Sequence, residues 1–115
     1  MTYKGGCHCG KVRFSADLDI SSPITCNCSY CSMRGSILVF TPAENFVLQQ
    51  GAGDLTAYRF NSKTIEHLFC ASCGMESFAR GAMPDGTKMA AVNVRCLEGV
   101  DLDAIKPRQV DGRSR

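Results

Sequence analysis

The stretch that decides the fold is Cys70-Ala71-Ser72-Cys73-Gly74, a Cys-x-x-Cys pair followed by a glycine. Two thiolates at this spacing bind one metal ion if the chain turns sharply between them. The glycine supplies a positive φ and lets backbone N–H groups approach the sulfur atoms. A tighter pair with the same trailing glycine stands near the N-terminus, at Cys7-His8-Cys9-Gly10. Neither pair completes a tetrahedral site alone, so we expect the two to share one structural zinc ion. The alternative is two unrelated pairs, one of them redox-active.

A third cluster lies between these pairs and contains three thiols within six residues, at Cys26, Cys28 and Cys31. Soft sulfur ligands select zinc or another thiophilic metal over magnesium or calcium. Catalytic zinc keeps three protein ligands and one open position, so this cluster predicts a catalytic zinc site that holds water or a substrate thiol. A coordinated thiol is deprotonated and is therefore a nucleophile at neutral pH. Two alternatives stay open: a second structural site with Cys96 as fourth ligand, or a cluster without metal whose thiols are buried or oxidised.

The composition is that of an ordinary globular protein, with 44% hydrophobic and 21% charged residues among 115. This length predicts a single domain over residues 1–115. The hydrophobic residues are spread among eleven glycines and eight cysteines, and a core that modest gains from a metal ion or disulfides. No segment is typical of a signal peptide or a membrane span. We therefore expect a cytoplasmic protein, where clustered cysteines bind metal, with a disulfide framework as the alternative.

The formal charge of +2 counts the cysteines as neutral. Seven thiolates and two Zn²⁺ ions would lower it to about −1, because ligand thiols lose their protons. The basic residues form no run longer than two. This balance does not favour a nucleic-acid partner.

Short apolar runs bounded by turn residues predict an antiparallel, mostly β domain built from small sheets. Pro84-Asp85-Gly86 predicts a turn, and 59–66 predicts a hairpin around Asn61-Ser62-Lys63. Helix is scarce: 100–106 predicts a short turn, and 29–34 is an alternative place for one helical turn. The predicted strands are 11–18, 37–41, 46–49, 55–60, 64–70, 77–80 and 88–95.

Three further residues carry potential chemistry but are isolated in the sequence. His8 lies between two predicted ligands, so its ring should point away from their metal and serve at the surface or in packing. His67 alternates with apolar neighbours and is predicted to face solvent from a strand. Cys96, in an apolar context, is predicted to be a small buried hydrophobic residue.

Three stretches together resemble the glutathione-dependent formaldehyde-activating enzyme family, whose domain is shared with centromere protein V. They are the run GGCHCGKVRF at 5–14, the three-cysteine segment at 26–31, and FCASCG at 69–74. The resemblance covers roughly residues 3 to 100 and implies a β-tent of small antiparallel sheets stapled by zinc. It also implies a structural zinc on Cys7, Cys9, Cys70 and Cys73, and a catalytic zinc on Cys26, Cys28 and Cys31.

The family's reaction adds the thiol of glutathione to formaldehyde and gives S-(hydroxymethyl)glutathione, formally a carbon–sulfur lyase reaction in reverse. The resemblance thus implies a small-molecule thiol and an aldehyde as partners. Two other functions stay open: a non-catalytic zinc module for a protein partner, and a redox- or zinc-responsive protein. Basic partners for the carboxylates of glutathione are sought among Arg34, Arg59, Lys63, Arg80 and Arg95.

Overall fold

The computed structural model describes residues 1–59 and 65–111. Within them the chain forms short strands, one helix and four single 3₁₀ turns. The strands are β1 (Thr2–Gly6), β2 (Arg13–Asp17), β3 (Ile24–Cys26), β4 (Leu38–Pro42), β5 (Phe46–Gln50), β6 (Leu55–Tyr58), β7 (Ile65–Cys70), β8 (Phe78–Ala82), β9 (Lys88–Asn93) and β10 (Arg108–Val110). The helix α1 is Ser29–Arg34, and the 3₁₀ turns are Ala43–Asn45, Ala52–Asp54, Val94–Cys96 and Leu102–Ala104.

The strands form a three-stranded sheet, in the order β1-β2-β5, and a seven-stranded sheet, in the order β10-β3-β4-β9-β8-β7-β6. The prediction of a mostly β fold with small sheets is confirmed. One pairing departs from the antiparallel pattern, because β10 runs parallel to β3, with Arg108 opposite Ile24. The C-terminal segment thereby covers the edge of β3, which a short strand would otherwise leave open.

The core lies between the two sheets. On the larger sheet, Val39, Val92, Phe78 and Leu68 occupy paired positions and point to the same buried side. Phe14 of the smaller sheet meets Phe78 with ring centroids 5.9 Å apart. The opposite face of the larger sheet therefore does not contact this core.

Each predicted strand overlaps an observed one, whereas β1, β3 and β10 were not predicted. Strands β3 and β10 have only three residues each, and β1 is made of polar residues and glycine after its first two positions, so none shows the alternating apolar pattern of a strand. The helical turn over 29–34 is confirmed as α1, and a 3₁₀ turn, Leu102–Ala104, lies inside the predicted 100–106. The tip of the hairpin predicted over 59–66 lies outside the described residues. No helix within residues 1–59 and 65–111 is long and apolar enough to cross a membrane.

Candidate metal centres

The first and third cysteine clusters meet in space. The sulfur atoms of Cys7, Cys9, Cys70 and Cys73, here called the four-thiol cluster, all lie within 4.8 Å of one another. The Sγ atom of Cys9 lies 3.6 Å from that of Cys7 and 3.6 Å from that of Cys70. A tetrahedral zinc with Zn–S bonds of about 2.3 Å requires sulfur atoms about 3.8 Å apart. The four-thiol cluster is thus compatible with one zinc ion, and the alternative of two unrelated pairs is wrong.

Local backbone geometry aims these sulfur atoms at a common point. Cys7 follows β1, and its Sγ accepts the Val12 N–H at 3.3 Å. Cys70 ends β7, and its carbonyl accepts the Gly74 N–H at 2.8 Å. Gly74 has φ = 78°, a conformation that closes this turn and that residues with a Cβ rarely adopt. All eight cysteines are free thiols, so the disulfide alternative is also wrong.

The four thiols differ in how readily they ionise. The backbone N–H of Cys9, followed by that of Met75, lowers the pKa of Cys73 to about 6. The Lys11 N–H lowers the pKa of Cys9, but desolvation and the neighbouring thiols outweigh it and raise that pKa to about 11. Crowded thiolates repel one another, so a cation among them is required for full ionisation.

The second cluster stands apart from the first. The sulfur atoms of Cys26, Cys28 and Cys31, here called the three-thiol cluster, lie within 4.8 Å of one another. Cys26 ends β3, and Cys28 caps α1 by accepting the Cys31 N–H at 3.3 Å. All three residues are half-buried. The end of β3 and the first turn of α1 therefore bring the three sulfur atoms together.

The thiols of the three-thiol cluster also differ in the direction of their pKa shifts. Burial, followed by the hydrogen-bonded Cys28 thiol, raises the pKa of Cys31. For Cys28, burial acts in the opposite sense to its hydrogen bonds, but the bonds from Cys31 and the neighbouring thiols together lower the pKa. Three sulfur donors at this spacing fit zinc, which favours thiolates.

Cys96 does not belong to the three-thiol cluster, so the alternative in which it is the fourth ligand is wrong. It is half-buried, and its Sγ lies 3.9 Å from the backbone oxygen of Glu76. Burial, followed by the charges of Cys7 and Cys73, raises its pKa to about 11. Cys96 therefore lies outside both clusters, close enough to the four-thiol cluster for its charges to raise the Cys96 pKa.

A buried polar network adjoins the three-thiol cluster. Tyr30, on α1 between two of the cysteines, donates a hydrogen bond from Oη to Glu76 Oε1. The other carboxylate oxygen of Glu76 lies 3.2 Å from His67 Nδ1. Burial and the Glu76 carboxylate raise the pKa of Tyr30 to about 12. Within this network Glu76 joins α1 to β7.

The prediction that His67 faces solvent is wrong, since only 6% of the residue is exposed. The alternation along β7 places His67 on the side away from the core, as predicted, but α1 covers this side at His67. The ring of Tyr30 packs on that of His67 with centroids 4.1 Å apart. A tertiary contact from α1 thus buries a residue that the strand pattern assigns to the surface. His8, by contrast, is exposed, as predicted.

The three-thiol cluster and the polar network share one cavity of about 680 Å³. Its lining includes all three cysteines, together with Tyr30, His67 and Glu76. Ligand sites in proteins have volumes of this order and combine apolar walls with a few placed polar groups. A molecule in this cavity would contact sulfur atoms and an acid–base network together.

Most of the basic residues proposed for ligand contact are engaged within the protein. Arg34 donates to the Gly74 carbonyl at 3.0 Å, and Arg95 donates to the Gly35 carbonyl at 3.3 Å. Arg59 pairs with Glu66, Arg80 stacks over the Phe78 ring, and Lys63 lies outside the described residues.

Sequence reasoning missed Glu76, the hydrogen bond that Tyr30 donates to it, and Arg108, which also lines the cavity. A signal for Glu76 was present. It is an acidic residue three positions after Cys73 and two positions before the first residue of strand β8. Arg108 had no such signal, because its place depends on the parallel pairing of β10 with β3.

The fold and its thiol clusters define a class of mostly β domain in which one complete and one open sulfur site are compatible with zinc. A family model described as "Glutathione-dependent formaldehyde-activating enzyme" matches residues 2–111. The chain belongs to this family. It is also similar to a crystal structure of a Rhodobacter sphaeroides protein, a structural genomics target. That likeness has 32% identity and a TM-score of 0.83, and covers 93% of this chain and 99% of the other.

Proposed function

We propose that this protein catalyses formation and cleavage of the carbon–sulfur bond in a thiol–aldehyde adduct, such as S-(hydroxymethyl)glutathione formed from glutathione and formaldehyde. One observation carries the proposal: three clustered thiols open into a cavity of about 680 Å³ beside a buried carboxylate. Membership of the formaldehyde-activating family supports the choice of partners.

The two clusters have different roles in this proposal. The four-thiol cluster would hold a structural zinc, because four protein ligands leave no position for substrate. The three-thiol cluster would hold a catalytic zinc, because three protein ligands leave one position for a substrate atom. A zinc ion there would keep the sulfur of a substrate thiol deprotonated and oriented, while the three thiolates would make it a weak polariser of a carbonyl.

The remaining chemistry is proton transfer by the chain's own residues. The substrate thiol loses its proton when its sulfur is bound. When that sulfur then attacks the aldehyde carbon, a carbon–sulfur bond forms and the carbonyl oxygen gains a proton. An ionised carboxylate only accepts hydrogen bonds, so Glu76 takes one from Tyr30 and one from His67 Nδ1–H. This orientation makes Nε2 of His67 the basic ring nitrogen. We assign to Nε2 the transfer of the proton between sulfur and oxygen.

The test begins with zinc content per chain in freshly purified protein. Exchange between glutathione, formaldehyde and their adduct is then followed by NMR, with and without zinc. Cys28→Ser should lose one zinc ion and the accelerated exchange while keeping its fold. Cys96→Ser, a matched change outside both clusters, should keep the full zinc content and the accelerated exchange. A wild-type protein with both sites filled and no accelerated exchange would overturn the proposal.

A further inference from the structure

The cavity is built on the side of the seven-stranded sheet that faces away from the core. Phe40 of β4 pairs with Ala91 of β9, which pairs with Ala79 of β8, which pairs with His67 of β7. Directly opposite residues project to the same side of a sheet. All four line the cavity, so this row of the sheet crosses it, with Ala79 and Ala91 in the floor at the centre and Phe40 at the rim.

Small residues at the centre of the sheet create the space. Ala79 and Ala91 lie side by side, and Gly81, two positions along β8, lies between Ile65 and Met89 on the neighbouring strands. Larger side chains at these positions would fill the volume above the floor. The floor offers methyl groups and backbone that is already hydrogen-bonded within the sheet.

The rim of this floor is apolar and open. Phe40 is 53% exposed, Met83 is 49% exposed and Ile65 is 48% exposed, and all three line the cavity. Apolar side chains left exposed around one cavity mark a surface that binds something apolar. The same cavity contains the three-thiol cluster, so this apolar surface and the proposed reaction share one space.

Charged groups are few on this surface. Of the described lining residues, Glu76 is engaged by Tyr30 and His67, and the Arg80 guanidinium stacks over Phe78, on the core side of the sheet. Arg108 stands at the β10 edge. A peptide-like group laid on the floor would lose its hydrogen bonds to water without replacement. A hydrocarbon group makes no hydrogen bonds to water and so would lose none.

Resting on the proposed function, we infer that the aldehyde partner carries an apolar alkyl or aryl substituent larger than the hydrogen of formaldehyde, and that this substituent binds the floor formed by Ala79, Gly81 and Ala91. The larger substituent does not change the stoichiometry of the reaction. The thiol sulfur bonds to the carbonyl carbon, the thiol proton ends on the former carbonyl oxygen, and no oxidant or reductant takes part.

The first test measures binding without turnover. S-alkylglutathione thioethers, from S-methyl to S-hexyl, mimic the adduct but cannot react. Their Kd values are measured on the zinc-loaded protein from shifts of the Met83, Met89 and Ala91 methyl signals. Each added methylene should tighten Kd about four-fold until the floor is filled. A difference below about two-fold between S-methyl and S-hexyl would overturn the inference.

Variants locate the effect. Ala91→Leu fills the floor and should abolish the dependence of Kd on chain length. Ala57→Leu adds the same side chain at an exposed position of β6, on the other side of the sheet, and should leave that dependence unchanged. If Ala91→Leu does not fold, Phe40→Ala removes a half-exposed side chain of the rim and should weaken S-hexyl binding selectively. Identical chain-length dependence in wild type and every folded floor or rim variant would contradict the inference.

The second test separates this inference from the function on which it rests. The acceleration of adduct formation over the uncatalysed rate is compared for formaldehyde, propanal and hexanal with glutathione. Acceleration that rises with chain length supports both proposals, whereas acceleration of formaldehyde alone keeps the function and overturns the substrate class. With no acceleration of any aldehyde the function fails, and the thioether series still decides whether the floor binds apolar groups. Rim signals that shift with protein concentration, and not with thioether, would assign the face to self-association and overturn the inference.

Discussion

Replacing Glu76 by Gln tests the centre of the site, because the side chain keeps its shape and loses its charge. In the wild type the carboxylate accepts from Tyr30 Oη–H and lies 3.2 Å from His67 Nδ1, with a side chain only 7% exposed. A glutamine offers one oxygen and one NH₂ group to these two partners, so one hydrogen bond is lost or reversed. A hydrogen bond to a charged group contributes about 1.5–3 kcal/mol.

We therefore expect Glu76→Gln to lower the free energy of unfolding by about 2 kcal/mol, measured by urea unfolding at saturating zinc. The rate of adduct exchange should fall by roughly 10²-fold or more if His67 transfers the proton. Glu44→Gln changes an exposed carboxylate and serves as the control. A double-mutant cycle with Tyr30→Phe should give a coupling energy of at least about 0.5 kcal/mol, since the two side chains are in contact.

Two outcomes would refute this reasoning. If Glu76→Gln leaves both stability and exchange unchanged, the carboxylate neither supports α1 nor orients His67. If it lowers stability but leaves exchange intact, Glu76 stabilises the fold and the proton transfer belongs to another group. A selective loss of exchange, with the unfolding free energy unchanged, would contradict the hydrogen-bond argument and keep the catalytic one.

Three further predictions concern ionisation, packing and metal. Tyr30 should ionise near pH 12 in the folded protein, against 10.0 for an ordinary tyrosine. The contribution of its protonated phenol to stability is therefore present below pH 10 and lost as the pH rises through 12. Phenolate absorbance followed against pH in the wild type and in Tyr30→Phe measures this ionisation. Gly5→Ala should destabilise the protein by about 1–3 kcal/mol, because its new Cβ would lie 2.5 Å from the Cys96 carbonyl oxygen. Gly53→Ala, with nothing within 4 Å, should unfold at the wild-type denaturant concentration, and equal midpoints for the two variants would refute the packing argument. Removing zinc with a strong chelator should unfold the chain, because binding energy at the four-thiol cluster is folding energy; a native circular-dichroism spectrum after complete metal removal would contradict this.

The spacing of the cysteines was sufficient to predict both clusters. Cys-x-x-Cys followed by glycine leaves few backbone paths between two sulfur ligands, so a local pattern carries the geometry of half a metal site. The tight pair at Cys7 and Cys9 carries the other half. That the halves join followed from ligand number, since two thiolates do not close a tetrahedral site. Most strands were predictable for a similar reason, because the alternation of apolar residues depends on a period of two.

The short strands β1, β3 and β10 escaped prediction because pairing partners, and not their own residues, hold them in the sheets. His67 was predicted to be exposed because strand alternation tells which residues share a face but not where that face is covered. Glu76 and Arg108 became site residues only when distant segments came together around the three-thiol cluster. Local chemistry thus specified the ligands and the strands of this protein. Long-range packing placed the carboxylate, the histidine and the apolar floor beside them, because contacts across the chain leave no periodic trace in the residues that make them.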